Sequence, residues 1–294
     1  MAKKLSMTDA VRKFRTWLKK YDSEWLNESL SDDLRSGGEA WKLSISVGAY
    51  KYWTGTRAID LVYSGDTVDG WGWMQRCAQA QGLNATIIWE ENVLRDPASS
   101  LSASTVGLHE TLLGWLMAVG MHETPYSIWF GKWLLRAAQG GPRFMAERAW
   151  TFSPLTSFCF RLYAAWQHEE SLAKPSGNAE WQPFEDLFQD WNQPEKVAQA
   201  LVRIADYHAS HTREGILGGF DGKPFPIFPV EILAVLRVRR ELGLETPPVD
   251  HPLVSGNPLF DVPEVLPQPA AIPTLEAGLA ALKNAYPKLM IPWG

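Results

Sequence analysis

The sequence predicts an all-α protein, and three observations carry that prediction. Apolar residues recur at intervals of three and four along most of the chain, which stacks them on one side of a helix. Capping residues, glycines and prolines fall at the ends of those runs, where helices start and stop. Beyond one short stretch at 83–89, nothing reads as strand. The expected architecture is an irregular array of about ten helices with a proline-rich C-terminal segment.

Each element has its own signal. Residues 8–20 place Val11, Phe14, Trp17 and Leu18 on one stripe with basic residues between, and Thr8 offers a cap. A second helix is expected over 24–34. A long one follows over 39–62, with Gly48 and Gly55 inside it as sites of close packing or a break. Tyr63-Ser64-Gly65-Asp66 reads as a helix end and a new start, and the next helix runs over 71–81 until Gly82 ends it. Helices at 106–120 and 124–139 share a short turn and form a hairpin, the second opening with Thr124-Pro125. Ser153-Pro154 opens a helix over 155–167. Pro183 sits early in a helix over 181–191, and Pro194 opens one that runs to about residue 210. A helix over 231–242 ends at Gly243. Eight prolines between 247 and 273 exclude helix there and predict a strap across the core surface, before a last helix over 275–285. The loop at 174–178 is the expected boundary between an N-terminal helical part, 1–175, and a C-terminal one, 176–294, unless the two form one continuous domain.

Composition narrows the function classes. The chain has 294 residues, 46% of them hydrophobic, which suits a folded core and excludes a disordered protein. Cys77 and Cys159 cannot make a disulfide framework, and their apolar surroundings predict buried thiols in a reducing compartment. The basic start of the chain lacks the apolar stretch of a signal peptide, and the most hydrophobic region, 108–135, is interrupted by charges and Pro125. A cytoplasmic protein with no membrane partner is expected.

Charge is unevenly placed. Residues 1–20 carry seven Lys/Arg and one acid, which leaves 21 basic and 32 acidic residues in the other 274, a net charge of −11. Such a body repels phosphate backbones and attracts basic partners. No nucleic-acid partner is expected, because the charges around Trp71, Trp73, Trp89, Trp181 and Trp191 are mainly acidic. The fifteen tryptophans read as core filling between helices.

Few patterns point to chemistry. His208-x-x-His211 with Asp206 nearby is the best metal or hydrolytic candidate, but it lacks a third and fourth ligand. His109-Glu110, His122-Glu123 and His168-Glu169-Glu170 read as solvated helix ends. Glu90-Glu91, Glu169-Glu170 and the set Glu185, Asp186 and Asp190 are the acid pairs available for proton transfer. Asp186 and Asp190 share a helix face beside Phe184, Leu187, Phe188 and Trp191, an arrangement that suits a basic protein partner. Glu169, Glu170, Glu185, Asp186 and Asp190 are therefore the expected partner-binding residues. No Walker loop, nucleophile elbow or dinucleotide fingerprint occurs. No catalytic residue, metal or cofactor is expected, and the chain is not expected to be an enzyme.

Two stretches carry a resemblance. The first is Ala58-Ile59-Asp60-Leu61-Val62-Tyr63-Ser64-Gly65-Asp66 with the helix after it. The second is Phe225-Pro226-Ile227-Phe228-Pro229-Val230-Glu231-Ile232-Leu233-Ala234-Val235, followed by Asp250-His251-Pro252-Leu253. In this order they resemble PoNi-type immunity proteins of bacterial toxin systems. The resemblance implies a cytoplasmic α-helical protein that binds and blocks a cognate toxin, often a DNase delivered by type VI secretion. Glu231 matches the family's helix glutamate and reads as a capping or packing residue in the first turn of its helix. The alternatives are a helical hydrolase built on His208, His211 and Asp206, and an adaptor or chaperone for a secreted effector.

Overall fold

The computed structural model describes residues 7–20, 28, 32, 40–89, 105–122, 124–139, 153–169, 181–212, 220, 222–273, 275–277, 280 and 284. Among them are nine α-helices, two short 3-10 turns and no strand. The helices are α1 (Met7–Lys20), α2 (Ala40–Tyr63), α3 (Thr67–Trp89), α4 (Thr105–Gly120), α5 (Thr124–Gln139), α6 (Pro154–Gln167), α7 (Gln182–Gln189), α8 (Pro194–Ser210) and α9 (Val230–Glu241). Residues 28 and 32 are helical, and the rest of the helix expected at 24–34 lies outside the described residues. The same holds for the last helix, of which 275–277, 280 and 284 are described as helical. No helix among the described residues is long and apolar enough to cross a membrane.

The organising unit is the hairpin of α2 and α3, two long helices joined by the turn at 64–66 and packed along their lengths. α1 lies on α2 through Ala10, Val11 and Phe14, its basic residues outward. α4 is the centre of the molecule. Every residue from 111 to 121 is buried, and α3, α5, α6 and α9 pack around it. A helix enclosed on all sides is apolar all round, which is why α4 shows a continuous hydrophobic run with little amphipathic contrast.

The stretch at 83–89 is a correction. It continues α3 as helix to Trp89. Leu83, Ala85 and Ile87 alternate with Asn84 and Thr86 as in a strand, but Asn84 and Thr86 are buried as well as Leu83 and Ala85, so the alternation marks no solvent-facing side. Gly82 does not end the helix; it admits a neighbour. A Cβ there would collide with the Tyr126 hydroxyl of α5. That hydroxyl donates to the Ala78 carbonyl at 2.8 Å, one turn earlier.

Ser153 caps α6 as its sequence indicates, its hydroxyl accepting from Leu155 N at 3.2 Å with Pro154 in the first turn. Trp71, Trp115, Trp133, Trp166 and Trp181 are buried between helices, the space-filling role expected of them. One continuous cluster of buried side chains runs from Ala10 in α1 to Leu259, so helices on both sides of the expected boundary share it. The boundary loop itself, 174–178, lies outside the described residues. Between α9 and residue 272 the chain has no α-helix and runs as an irregular strap with one 3-10 turn, Pro258–Phe260.

A candidate binding face and the buried polar pairs

α7 forms because Phe184 and Leu187 bury one side of a short helix while Pro183 sets its first turn. Phe184 meets Phe158 of α6 edge-on at 5.4 Å and Tyr207 of α8 at 5.4 Å, which fixes α7 between those helices. The two acids of α7 and Asp190, which ends it, then take different places. Glu185 is buried and forms an ion pair with Arg161 of α6. The Arg161 guanidinium also lies over the Phe188 ring, 4.5 Å from its centre. Burial lowers the Arg161 pKa from its ordinary value, and the Glu185 charge works against that shift. Asp186 accepts from Arg203 of α8 at 2.8 Å and from Gln182 at 2.7 Å. Asp190 accepts from Lys196 at 2.9 Å and from Gln193 at 3.1 Å.

Those bonds join the outer sides of α7 and α8 into one surface. Glu195, Arg203 and Asp206 are exposed on α8, and Lys196 stands beside Glu195. The joined surface presents the carboxylates of Asp186, Asp190, Glu195 and Asp206 against the cations of Lys196 and Arg203, so it is net acidic. Glu169 is exposed just after α6, and Glu170 lies outside the described residues. Glu185 is thus a packing residue beneath this surface rather than part of it.

Inside the molecule, several titratable groups pair in ways the sequence did not announce. His208 and Glu231 are fully buried, with Nδ1 2.7 Å from Oε1. His208 Nε2 lies 3.0 Å from the Phe225 carbonyl, which can only accept, so that nitrogen carries the proton. Phe220 stacks on the imidazole at 4.0 Å. Glu231 therefore ties α9 to α8; its other oxygen, Oε2, has no hydrogen-bond partner among the described residues. In the early turns of α4, Glu110 takes both the buried Lys51 ammonium and the Tyr52 hydroxyl of α2, the latter at 2.6 Å. Its neighbour His109 is buried and bonded to Ser153 at 2.8 Å. His109-Glu110 is therefore a pair of core tethers, not the solvated helix end its sequence suggested.

The candidate triad of His208, His211 and Asp206 does not come together. His208 turns inward to Glu231. His211 stacks on Tyr207 at 3.8 Å and donates to the Tyr207 carbonyl. Asp206 faces His251 of the strap, with Oδ1 3.4 Å from Nε2. His251 Nδ1 accepts from Leu253 N at 3.1 Å and shapes the start of the strap. Among the described residues, no three His, Cys, Asp or Glu side chains are placed to hold a metal ion. Both cysteines are buried, and burial pushes the Cys77 thiol up to about 12. The Cys159 thiol is raised well above its ordinary value by burial, with the nearby charge of Glu231 adding to the shift.

Lys51–Glu110 and His208–Glu231 were missed for the same reason. Their partners are 59 and 23 residues apart, and pairing at that range leaves no spacing signal. The one available hint was a lysine set near the apolar Val47, Tyr50 and Ala58 of its helix. Comparison of the chain with protein-family models, curated proteins and solved structures found no match.

Proposed function

We propose that this chain is an immunity-type binding protein. It neutralises a basic partner protein by covering it, and it makes or breaks no bonds of its own. The observation that carries the reading is the joined α7–α8 surface, where Asp186 and Asp190 are held in place by Arg203 and Lys196 while Glu195 and Asp206 project beside them. A pre-oriented acidic surface needs little side-chain ordering on contact, and complementary fields speed encounter with a cationic partner. The net −11 outside the first 20 residues extends the same field over the rest of the chain. The partner implied by the resemblance is a bacterial toxin, a type VI effector with DNase activity, whose substrate cleft is built for phosphate. A cytoplasmic location follows from that role.

The test is co-expression with the protein encoded by the neighbouring gene, the proposed toxin. The expected result is restored growth and a stable complex that co-elutes in gel filtration. A chain that neither protects nor binds overturns the reading.

A further inference from the structure

The cations of the chain collect on α1. This helix rests on α2 through Ala10, Val11 and Phe14, and its other side stands out from the body as a ridge. Successive residues turn by about 100° around an α-helix. On that spacing the exposed residues Arg15, Lys19, Arg12, Thr16, Lys20 and Lys13 follow one another across about 160° of the helix. Asp9 is the single acid of α1, and Arg12 bonds it at 2.7 Å.

The body of the protein adds a cation on each side of the ridge. On one side, Arg15 donates to Asp60 at 2.5 Å and to Ser64 Oγ at 2.9 Å, and Arg57 of α2 lies 3.6 Å from the same aspartate. On the other side, Lys223 lies over the half-buried Trp17 ring, its ammonium 4.5 Å from the centre. Lys13 and Lys20 stand four residues before and three residues after Trp17, on the same face of the helix. Trp17 is thus set among cations, unlike the tryptophans with acidic neighbours. The sequence shows a basic helix; the fold places Arg57 and Lys223 on its two flanks.

We propose that this ridge binds duplex DNA, with α1 lying in the major groove and the flanking cations on the phosphates of its two walls. An α-helix with its side chains is about 10–12 Å across, and the major groove is about 12 Å wide. Shape decides the occupant. The cations are spread round a convex ridge, so a flat anionic bilayer meets only the crest around Arg12, Thr16 and Lys19. A groove meets the crest and both flanks at once. Arg15 and Arg57 then face one wall, and Lys13, Lys20 and Lys223 face the other. Each phosphate neutralised releases counterions, which supplies affinity without any reading of bases. Contacts of this non-specific kind have a Kd of about 1–100 μM at physiological salt. The acids of the remaining chain oppose the encounter, but salt limits their reach to about 8 Å at about 0.15 M. The α7–α8 surface takes no part, so this activity is separate from the covering of a basic partner.

Fluorescence anisotropy of a short labelled DNA duplex with the full chain tests the proposal. Lys13 and Lys19 are exposed and make no ion pair with a described residue, so Lys13→Gln with Lys19→Gln removes one charge from a flank and one from the crest without breaking a contact. Wild-type binding is expected to weaken as salt rises from about 50 to about 200 mM. The double variant is expected to bind at least about tenfold more weakly at the lower salt, with a slope of log affinity against log salt shallower by about 2. Lys132→Gln with Arg240→Gln, which removes two exposed cations elsewhere, is expected to change neither quantity. Should thermal melting show the first variant to be unfolded, Lys13→Gln alone is measured, with a slope expected to be shallower by about 1. A wild-type chain that leaves the duplex unbound at the lower salt overturns the proposal. So does an equal loss in the two double variants, or a chain that prefers phosphatidylserine vesicles to the duplex.

Discussion

Glu231 reaches across from the first turn of α9 to His208 near the end of α8, 2.7 Å from oxygen to nitrogen, with neither side chain exposed to solvent. A glutamate in a helix's first turn suits the macrodipole. This one turns inward instead and takes its partner from another helix. Together with the bond from His208 to the Phe225 carbonyl, it closes the joint between α8, α9 and the 3-10 turn at Phe225–Ile227.

Removing one side of that joint leaves the other buried and unpaired. Glu231→Ala is expected to cost about 3 kcal/mol, the lower end for breaking a buried pair. Glu231→Gln, which keeps a hydrogen-bonding group at the same place, is expected to cost less. Urea titration measures both; equal losses for the two variants would show that the carboxylate charge, and not a hydrogen-bonding group at that place, holds the joint.

The contact at Gly82 makes a second prediction. Gly82→Ala sets a methyl group against the Tyr126 hydroxyl and is expected to cost about 1–3 kcal/mol through overpacking. Tyr126→Phe removes the clashing oxygen. In the Gly82→Ala background it is expected to recover part of that loss, with a coupling of at least about 0.5 kcal/mol in a double-mutant cycle. Strictly additive effects would show that the two side chains do not meet.

Much of the fold was legible in the sequence, because caps and stops act locally. Ser153-Pro154 and Pro194 start helices where their chemistry says they should. What the sequence hid is set by neighbours distant along the chain. Whether 83–89 is helix or strand depends on enclosure by α4 and α5, and Glu185 reads as a surface acid until Arg161 of α6 is seen beneath it. Of the acidic set, Asp186 lies in α7 while Asp190 is the residue that ends it, so the shared helix face expected of them stops one residue short. That their face continues onto α8 followed only from the bonds to Arg203 and Lys196.

The burial of Glu185 separates two kinds of charge reversal. Asp186→Lys with Asp190→Lys removes two partly exposed ion pairs, each worth about 0–1 kcal/mol, and is expected to leave the Tm little changed while weakening partner binding. Glu185→Lys places two cations together in a buried site and is expected to destabilise the fold by about 3 kcal/mol. Thermal melts and binding assays on the two variants distinguish them; unchanged affinity in the double variant would discard the α7–α8 face as the contact surface.

The thiols supply a pH prediction. Cys77 is pushed up to about 12 and Cys159 is also raised, both chiefly by burial. The folded state therefore holds these protons more tightly than the unfolded chain does. Their contribution to stability is fully present below the thiols' unfolded pKa and is lost as pH rises from there through the folded values. Neither thiol is expected to react with a thiol-specific disulfide reagent at about pH 8, near the ordinary thiol pKa, until the protein is unfolded, when both should. Fast labelling of the folded protein would contradict the burial of these groups.

The central claim is that an acidic surface covers a basic partner. Titration of the proposed basic partner into this protein at rising ionic strength tests it most directly, because salt screens exposed charges beyond roughly 10 Å at about 0.1 M. The account expects Kd to climb steadily with salt, and to climb less steeply for the chain carrying Asp186→Lys and Asp190→Lys. A Kd that holds constant across the titration would contradict it.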